Sequence, residues 1–191
     1  MYKVLNSFFS KEEVAVIIDF VDHLLLNGEG TIYAATGRKL IGLDNLDKKI
    51  IEKVEKYVKE TYSSEIIVKD IGFMRFSKEY GKPKLLPHKD DYACEVVFDY
   101  QLRTNKKWDL FIEGKRIQLK DNDAVSFEGE KEAHWRERIS FNDGEYVDMI
   151  CFNCIGKDHW RHNSIDNPKS EIELEKEKYE IFKKWGSVYN P

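Results

Sequence analysis

The chain has 191 residues, 41% of them hydrophobic and 13% aromatic, enough for one globular domain with a substantial core. A formal net charge of −4, a pI near 5.8 and charges that alternate in sign exclude the basic excess that nucleic-acid binding favours. No apolar run approaches the roughly 18 residues of a membrane span, the start at Met1–Asn6 is too polar for a secretory leader, and three cysteines suit a reducing cytoplasm better than a disulfide framework.

In chain order, Ser10-Lys11-Glu12-Glu13 forms a capping-box pattern. Val14, Ile17, Ile18, Val21, Leu24 and Leu25 then follow at the spacing of an amphipathic helix. Asn27-Gly28-Glu29-Gly30 ends that helix. A second apolar stripe, Leu46, Ile50, Ile51, Val54, Tyr57 and Val58, predicts another helix opened by Asp44 or Asn45. Each helix has one charged face, so both should lie on one side of something flat.

From about Ile66 the pattern changes to strands: 65–69, 71–76, 94–102, 108–112, 116–119, 124–127 and 146–155 are rich in β-branched and aromatic residues and are separated by turn signals. Helices ahead of many short strands predict an α+β protein, a jelly-roll core with the N-terminal helices packed on one sheet. The expected organisation is a single domain: 1–65 as helical support, 66–156 as the core, and 157–191 as a tail containing a helix over Glu171 to Trp185. Cys151 and Cys154 are formally C-x-x-C, but three residues apart on a strand they face opposite sides and read as separate buried thiols.

The chemistry is concentrated in Pro87-His88-Lys89-Asp90 and in Glu132-Ala133-His134-Trp135-Arg136-Glu137. In an extended segment, residues two apart share a side, so His88 and Asp90 can reach one metal together and a distant His134 can close the face. This is the residue set of the two-histidine, one-carboxylate triad that holds Fe(II) and leaves the opposite positions open. By the same parity, Arg136 points to the side of His134. His23 reads as a helix-surface residue, and Asp91 as a neighbour of the site or a solvent residue. His159 and His162 fall beyond the last strand near the rim, where a surface turn competes with substrate contact. Trp135, opposite in parity to His134, should pack between sheets. Glu95, Tyr100 and Arg103 border the expected cavity.

These segments resemble the Fe(II)/2-oxoglutarate-dependent dioxygenase superfamily, nearest its prolyl-4-hydroxylase-like branch. Met74-Arg75-Phe76-Ser77-Lys78-Glu79-Tyr80-Gly81 is similar to the strand and loop that precede the first iron ligands there. The run from Trp108 to Glu128 resembles the hairpin and polar turn that follow, and Gly129 to Glu137 resembles the distal-histidine segment. Small bacterial and phage-type members carry a similar His-Trp-Arg-Glu, with a Cys-Glu like Cys94-Glu95. Phe8 to Glu13 resembles the usual entry to the first helix, and the main likeness covers roughly residues 66 to 156.

The resemblance implies a double-stranded β-helix (jelly-roll) fold and His88, Asp90 and His134 as iron ligands. It also implies 2-oxoglutarate and O2 as co-substrates, and hydroxylation of an unactivated C–H bond in an amino acid, peptide or other small molecule. The carboxylate of Asp90 favours hydroxylation over the halogenation carried out by relatives that lack it. One departure stands out. Many members carry an Arg or Lys some ten residues after the distal histidine to pair with 2-oxoglutarate, whereas Gly144-Glu145-Tyr146-Val147-Asp148 has no cation. Arg136 is the expected substitute, with Arg138, Arg75 and Arg103 as further cations able to reach in. The competing reading is a non-oxidative cupin-like protein, a metal-binding isomerase or small-ligand sensor.

Overall fold

The computed structural model describes residues 1–63, 65–90, 94–159 and 170–186. Asp91, Arg161 and His162 lie outside them. In chain order the elements are β1 (Lys3–Leu5), α1 (Lys11–Leu26), β2 (Thr31–Tyr33), β3 (Arg38–Gly42), α2 (Lys48–Thr61), β4 (Ile67–Ser77), β5 (Leu85–His88) and β6 (Val96–Thr104). There follow β7 (Leu110–Ile112), β8 (Lys115–Ile117), β9 (Ala124–Phe127), β10 (His134–Arg136), β11 (Tyr146–Ile155) and α3 (Glu171–Trp185).

Local chemistry places the helix ends. Ser10 caps α1 reciprocally with Glu13, closing the capping box, and Ser170 does the same for α3 with Glu173. The second helix starts later than its apolar stripe suggested: the cap is Asp47, whose carboxylate accepts from the Lys49 N–H at 2.8 Å, not Asp44 or Asn45. Among the described residues no helix is long and apolar enough to cross a membrane.

The strands form two antiparallel sheets, ordered β1-β9-β6-β11-β4-β3-β2 and β5-β10-β7-β8. Ile17, Val21 and Leu24 of α1 and Ile50, Val54 and Val58 of α2 bury against Phe73, Phe98, Tyr100, Ile150 and Phe152 on one face of the larger sheet. Each such aliphatic side chain stabilises the fold by roughly 1.5–3 kcal/mol relative to leaving it in water, which is why the helices sit on that face. The opposite face meets the smaller sheet through Val97, Val125 and Phe127 against Leu110, Ile112 and Ile117.

Strand parity therefore sorts side chains into two layers. Met149, Cys151 and Asn153 of β11 and Gly72, Met74 and Phe76 of β4 line the space between the sheets. Ile150, Phe152 and Cys154, with Phe73, face the helices. Cys151 and Cys154 thus point to opposite sides, as free thiols.

The helical side also carries a buried ion network. Asp148, fully buried, accepts two hydrogen bonds from Arg75 at 2.7 Å each and one from Arg103 Nε at 2.8 Å. Arg103 continues to Asp22 of α1, donating from Nη1 at 3.0 Å. The network fastens α1 to β6 and β11. Arg103 and Tyr100 accordingly do not border the cavity between the sheets; Tyr100 packs under the helices and donates to Asn122 Oδ1. Glu95 accepts from the Gly156 N–H at 2.9 Å and closes a loop instead.

Segment 1–65 is more than helical support. β1 adds to one edge of the larger sheet, while β2 and β3 extend the other through pairing of β3 with β4. The stretches expected at 65–69 and 71–76 are one continuous strand, β4. α3 crosses the outer face of the smaller sheet, where Trp185 lies 5.0 Å from Trp135. Trp135 in turn stacks on Phe111 at 5.4 Å. It therefore packs outside the smaller sheet and not between the two.

Candidate metal centre

β5 and β10 pair antiparallel with His88 directly opposite His134, so the two imidazoles emerge side by side, ring centroids 4.2 Å apart. Asp90 follows β5 by two residues, and its N–H donates to the Gly129 carbonyl at 3.0 Å, tying the ligand loop to the turn before β10. A Cβ at Gly129 would collide with the Asp90 carboxylate and would come within 2.7 Å of both the Cys94 carbonyl and Val97. Glycine is needed there for close approach.

The histidine tautomers follow from their neighbours. His88 Nδ1 lies 2.8 Å from the Leu86 carbonyl and His134 Nδ1 3.1 Å from the Glu132 carbonyl. A carbonyl only accepts, so each Nδ1 carries a proton and each ring turns its Nε2 toward Asp90. Those Nε2 atoms stand 3.6 Å and 3.7 Å from the two Asp90 oxygens. One donor atom from each of the three residues falls within 4.8 Å of the others. Burial pushes the His134 pKa well below its usual value, and the neighbouring His88 pushes the same way against the Glu132 carbonyl. His134 is thereby held neutral, the form that ligates a cation. Two imidazoles and one carboxylate, converging from one side with the outer ring nitrogens fixed by carbonyls, fit a divalent first-row metal.

The three side chains open into a cavity of roughly 300 Å³ between the sheets. Arg136, two residues beyond His134, lines it at 1% exposure. Its Nη1 donates to the Trp108 carbonyl, its Nη2 lies 3.1 Å from Met149 Sδ, and its guanidinium sits 5.2 Å from the Trp108 ring centroid. Burial lowers its pKa to about 10, with Asp99 and Asp109 opposing the fall, so it stays charged at neutral pH. Asp99 of β6 shares the cavity; burial raises its carboxyl to about 6 against the pull of Arg136.

The other sequence-derived candidates fall elsewhere. Arg75 faces the helices on Asp148 and is not brought to the cavity. Arg138 is exposed beyond the end of β10 and does not line it. His23 is exposed on α1, 3.0 Å from the Asn27 amide, and His159 lies 2.6 Å from Glu130 Oε1, apart from the three ligands. Two charged lining residues were missed. Asp99 stood in a run read only as a hydrophobic strand, though its parity with Val97 would have placed it inward. Arg38 came from a strand that the sequence pattern did not reveal.

No protein-family model and no curated protein matches the chain. Solved structures do. It is similar to the non-heme alpha-ketoglutarate-dependent carbocyclase SnoK from nogalamycin biosynthesis, at 10% identity and a TM-score of 0.64 over 90% of each chain. It is also similar to the epimerase SnoN in complex with Fe3+, alpha-ketoglutarate and nogalamycin RO, at 10% identity and 0.63 over 88% of this chain and 89% of that one. A third likeness is to the viral collagen prolyl hydroxylase of Paramecium Bursaria Chlorella virus-1, at 14% identity and 0.54 over 79% and 88%. The chain shares their fold.

Proposed function

We propose that this protein is an Fe(II)- and 2-oxoglutarate-dependent oxygenase built on a double-stranded β-helix (jelly-roll) core, and that it hydroxylates an unactivated C–H bond of a small-molecule, amino acid or peptidyl substrate. The observation that carries the reading is the convergence of His88, Asp90 and His134 on one point of a cavity that also contains a buried arginine. The solved structures of like fold, which include iron- and alpha-ketoglutarate-dependent enzymes, support it.

His88 Nε2, His134 Nε2 and an Asp90 oxygen would hold the metal from one side. Iron bound there with 2-oxoglutarate supplies O2 activation coupled to oxidative decarboxylation, the chemistry of that cofactor set. The chain supplies position. The Leu86 and Glu132 carbonyls keep both rings turned with Nε2 toward the metal. Arg136 takes the distal carboxylate of the co-substrate in a forked, charge-assisted contact, standing in for the cation absent from β11. Met74, Phe76, Met149 and Val97 line the cavity and keep bulk water from the reacting carbon.

The test is anaerobic titration of the Fe(II)-loaded protein with 2-oxoglutarate, watching for the visible metal-to-ligand charge-transfer absorption of a chelated keto acid. The band is expected, and His134→Ala should abolish both iron binding and the band. Iron binding without a band at saturating 2-oxoglutarate would overturn the proposal in favour of non-oxidative metal chemistry. Product mass then tests the reaction: hydroxylation adds one oxygen atom, cyclisation removes two hydrogens, and epimerisation leaves the mass unchanged.

A further inference from the structure

The cavity contains a second arginine. Arg38 stands at the start of β3, paired with Phe76 of β4, and its side chain enters the same space as the three ligands. The strand start is fixed relative to the segment that delivers His88: the Lys84 N–H donates to the Thr36 carbonyl and the Ser77 N–H to the Gly37 carbonyl, each at 3.3 Å. Gly37 has φ +60° and packs against Pro83 so closely that a Cβ would lie 2.5 Å from the Pro83 nitrogen. The position of Arg38 is therefore built into the fold.

Its guanidinium lacks what a buried cation needs. Among the described residues, Nε is buried with no hydrogen-bond partner, Nη1 reaches only the Met74 thioether at 3.5 Å, and the group lies 5.6 Å from the Tyr33 ring centroid. Among the described residues no carboxylate forms an ion pair with it, whereas Arg75, Arg103 and Arg116 all meet one. Burial lowers its pKa from a high starting value. A partly desolvated guanidinium with an open donor edge is costly unless an anion completes it, and the Nε–Nη edge matches a carboxylate bidentately.

We infer that Arg38 anchors the carboxylate of the substrate, so that the substrate is a small organic acid held by its carboxylate with its reacting carbon toward the metal. The inference rests on the proposed function for one step, the assignment of Arg136 to the co-substrate. Arg136 is the deeper cation, on the strand of His134; Arg38 is only half-buried, on β3, two strands across the larger sheet from β11. A cavity of roughly 300 Å³ is at the small end for ligand sites, and with 2-oxoglutarate inside it favours a compact acid over an internal residue of a peptide.

The test uses the full chain loaded with zinc as a diamagnetic stand-in and saturated with 2-oxoglutarate, with butyrate and its neutral isostere butyramide as probes. Saturation-transfer NMR should show butyrate binding and butyramide binding at least about tenfold more weakly, the size of one charged hydrogen bond. Arg38→Gln should weaken butyrate about tenfold or more and leave the calorimetric Kd for 2-oxoglutarate within about threefold. Lys39→Gln, next along β3 and of opposite facing, should change neither. Arg38→Lys keeps the charge without the fork, should fall between, and serves if the glutamine variant does not fold.

Equal binding of acid and amide, no butyrate binding to the wild type, or unchanged butyrate binding in Arg38→Gln and Arg38→Lys would overturn the inference. So would a variant that loses 2-oxoglutarate more than butyrate, since Arg38 would then belong to the co-substrate. If zinc or 2-oxoglutarate does not bind at all, the proposed function fails. The butyrate comparison then runs on the metal-free protein with Arg136→Gln beside Arg38→Gln, and loss confined to the Arg136 variant overturns the inference separately.

Discussion

Arg136→Gln separates co-substrate binding from metal binding. In the folded protein this guanidinium is 1% exposed, so its dehydration is already complete before any ligand arrives. Of its described contacts, the one at Met149 Sδ is to a weak acceptor, and a carboxylate could replace it at little loss. Two charge-assisted hydrogen bonds from the fork are worth about 1.5–3 kcal/mol each. Glutamine keeps one neutral amide donor pair in a shorter reach, so a loss of about 3 kcal/mol is expected, or roughly a hundredfold in Kd.

The iron site should change little, because His134 is held by its own carbonyl contact and not by Arg136. Anaerobic calorimetry with Fe(II), then with 2-oxoglutarate, reads the two affinities apart. The expected result is a roughly hundredfold weaker 2-oxoglutarate Kd with the iron Kd within about threefold. Arg136→Lys, which keeps the charge without the fork, should recover only part of the loss. A 2-oxoglutarate Kd within threefold of wild type in the glutamine variant would refute the anchor.

Gly129→Ala should lose about 1–3 kcal/mol of stability by overpacking and weaken Fe(II) binding about tenfold or more, because the new methyl displaces the Asp90 carboxylate; unchanged metal affinity by calorimetry would remove the Gly129 contact from the site. Asp148→Asn leaves Arg75 and Arg103 without their shared anion and should cost about 3–5 kcal/mol in urea unfolding, while metal affinity holds, since the network faces the helices. Asp99→Asn should stabilise the metal-free protein by roughly 2–3 kcal/mol at pH 7 and above. The sign follows from its carboxyl being raised to about 6: between about pH 4 and 6 the folded state holds more protons than the unfolded, so wild-type stability falls as pH rises through that window. The gain from Asn should therefore shrink below pH 6 and vanish near pH 4, as read from urea midpoints across that range. The attraction of Arg136 is already contained in that shift, so a variant less stable than wild type at pH 8 would show the Arg136 contact to be the stronger influence.

Much of this site was legible because its ligands obey strand parity. His88 and Asp90 flank one residue in an extended segment, and His134 lies opposite His88 in register; both facts follow from period-two geometry once the segments are taken as strands. Arg136 entered the cavity by the same rule. Parity also decided the failures. Arg75 was expected as a cation able to reach in from another strand, but its neighbours Met74 and Phe76 face the cavity and it therefore faces the helices. Trp135 was given the right parity and the wrong neighbour, because nothing in sequence announces that α3 covers the outer face of the smaller sheet.

β2 and β3 escaped notice for a different reason. Thr31–Tyr33 is exposed throughout, and β3 buries only Ile41, so neither carries the apolar alternation by which strands are found. Their stability comes from pairing of β3 with β4, a long-range contact that no local pattern encodes, and of β2 with β3 in turn. That is also why the second cavity arginine could not be found from its surroundings in the chain. Arg38 sits in Gly37-Arg38-Lys39, which reads as a solvated turn, and becomes a cavity residue only when β3 is laid against β4. The departure at the last strand has the same character. β11 offers Asp148 where a cation was sought, and that aspartate faces the helices and gathers Arg75 and Arg103 there. The cations left facing the ligands come from the strand of the distal histidine and from β3, which with β2 extends the larger sheet beyond β4.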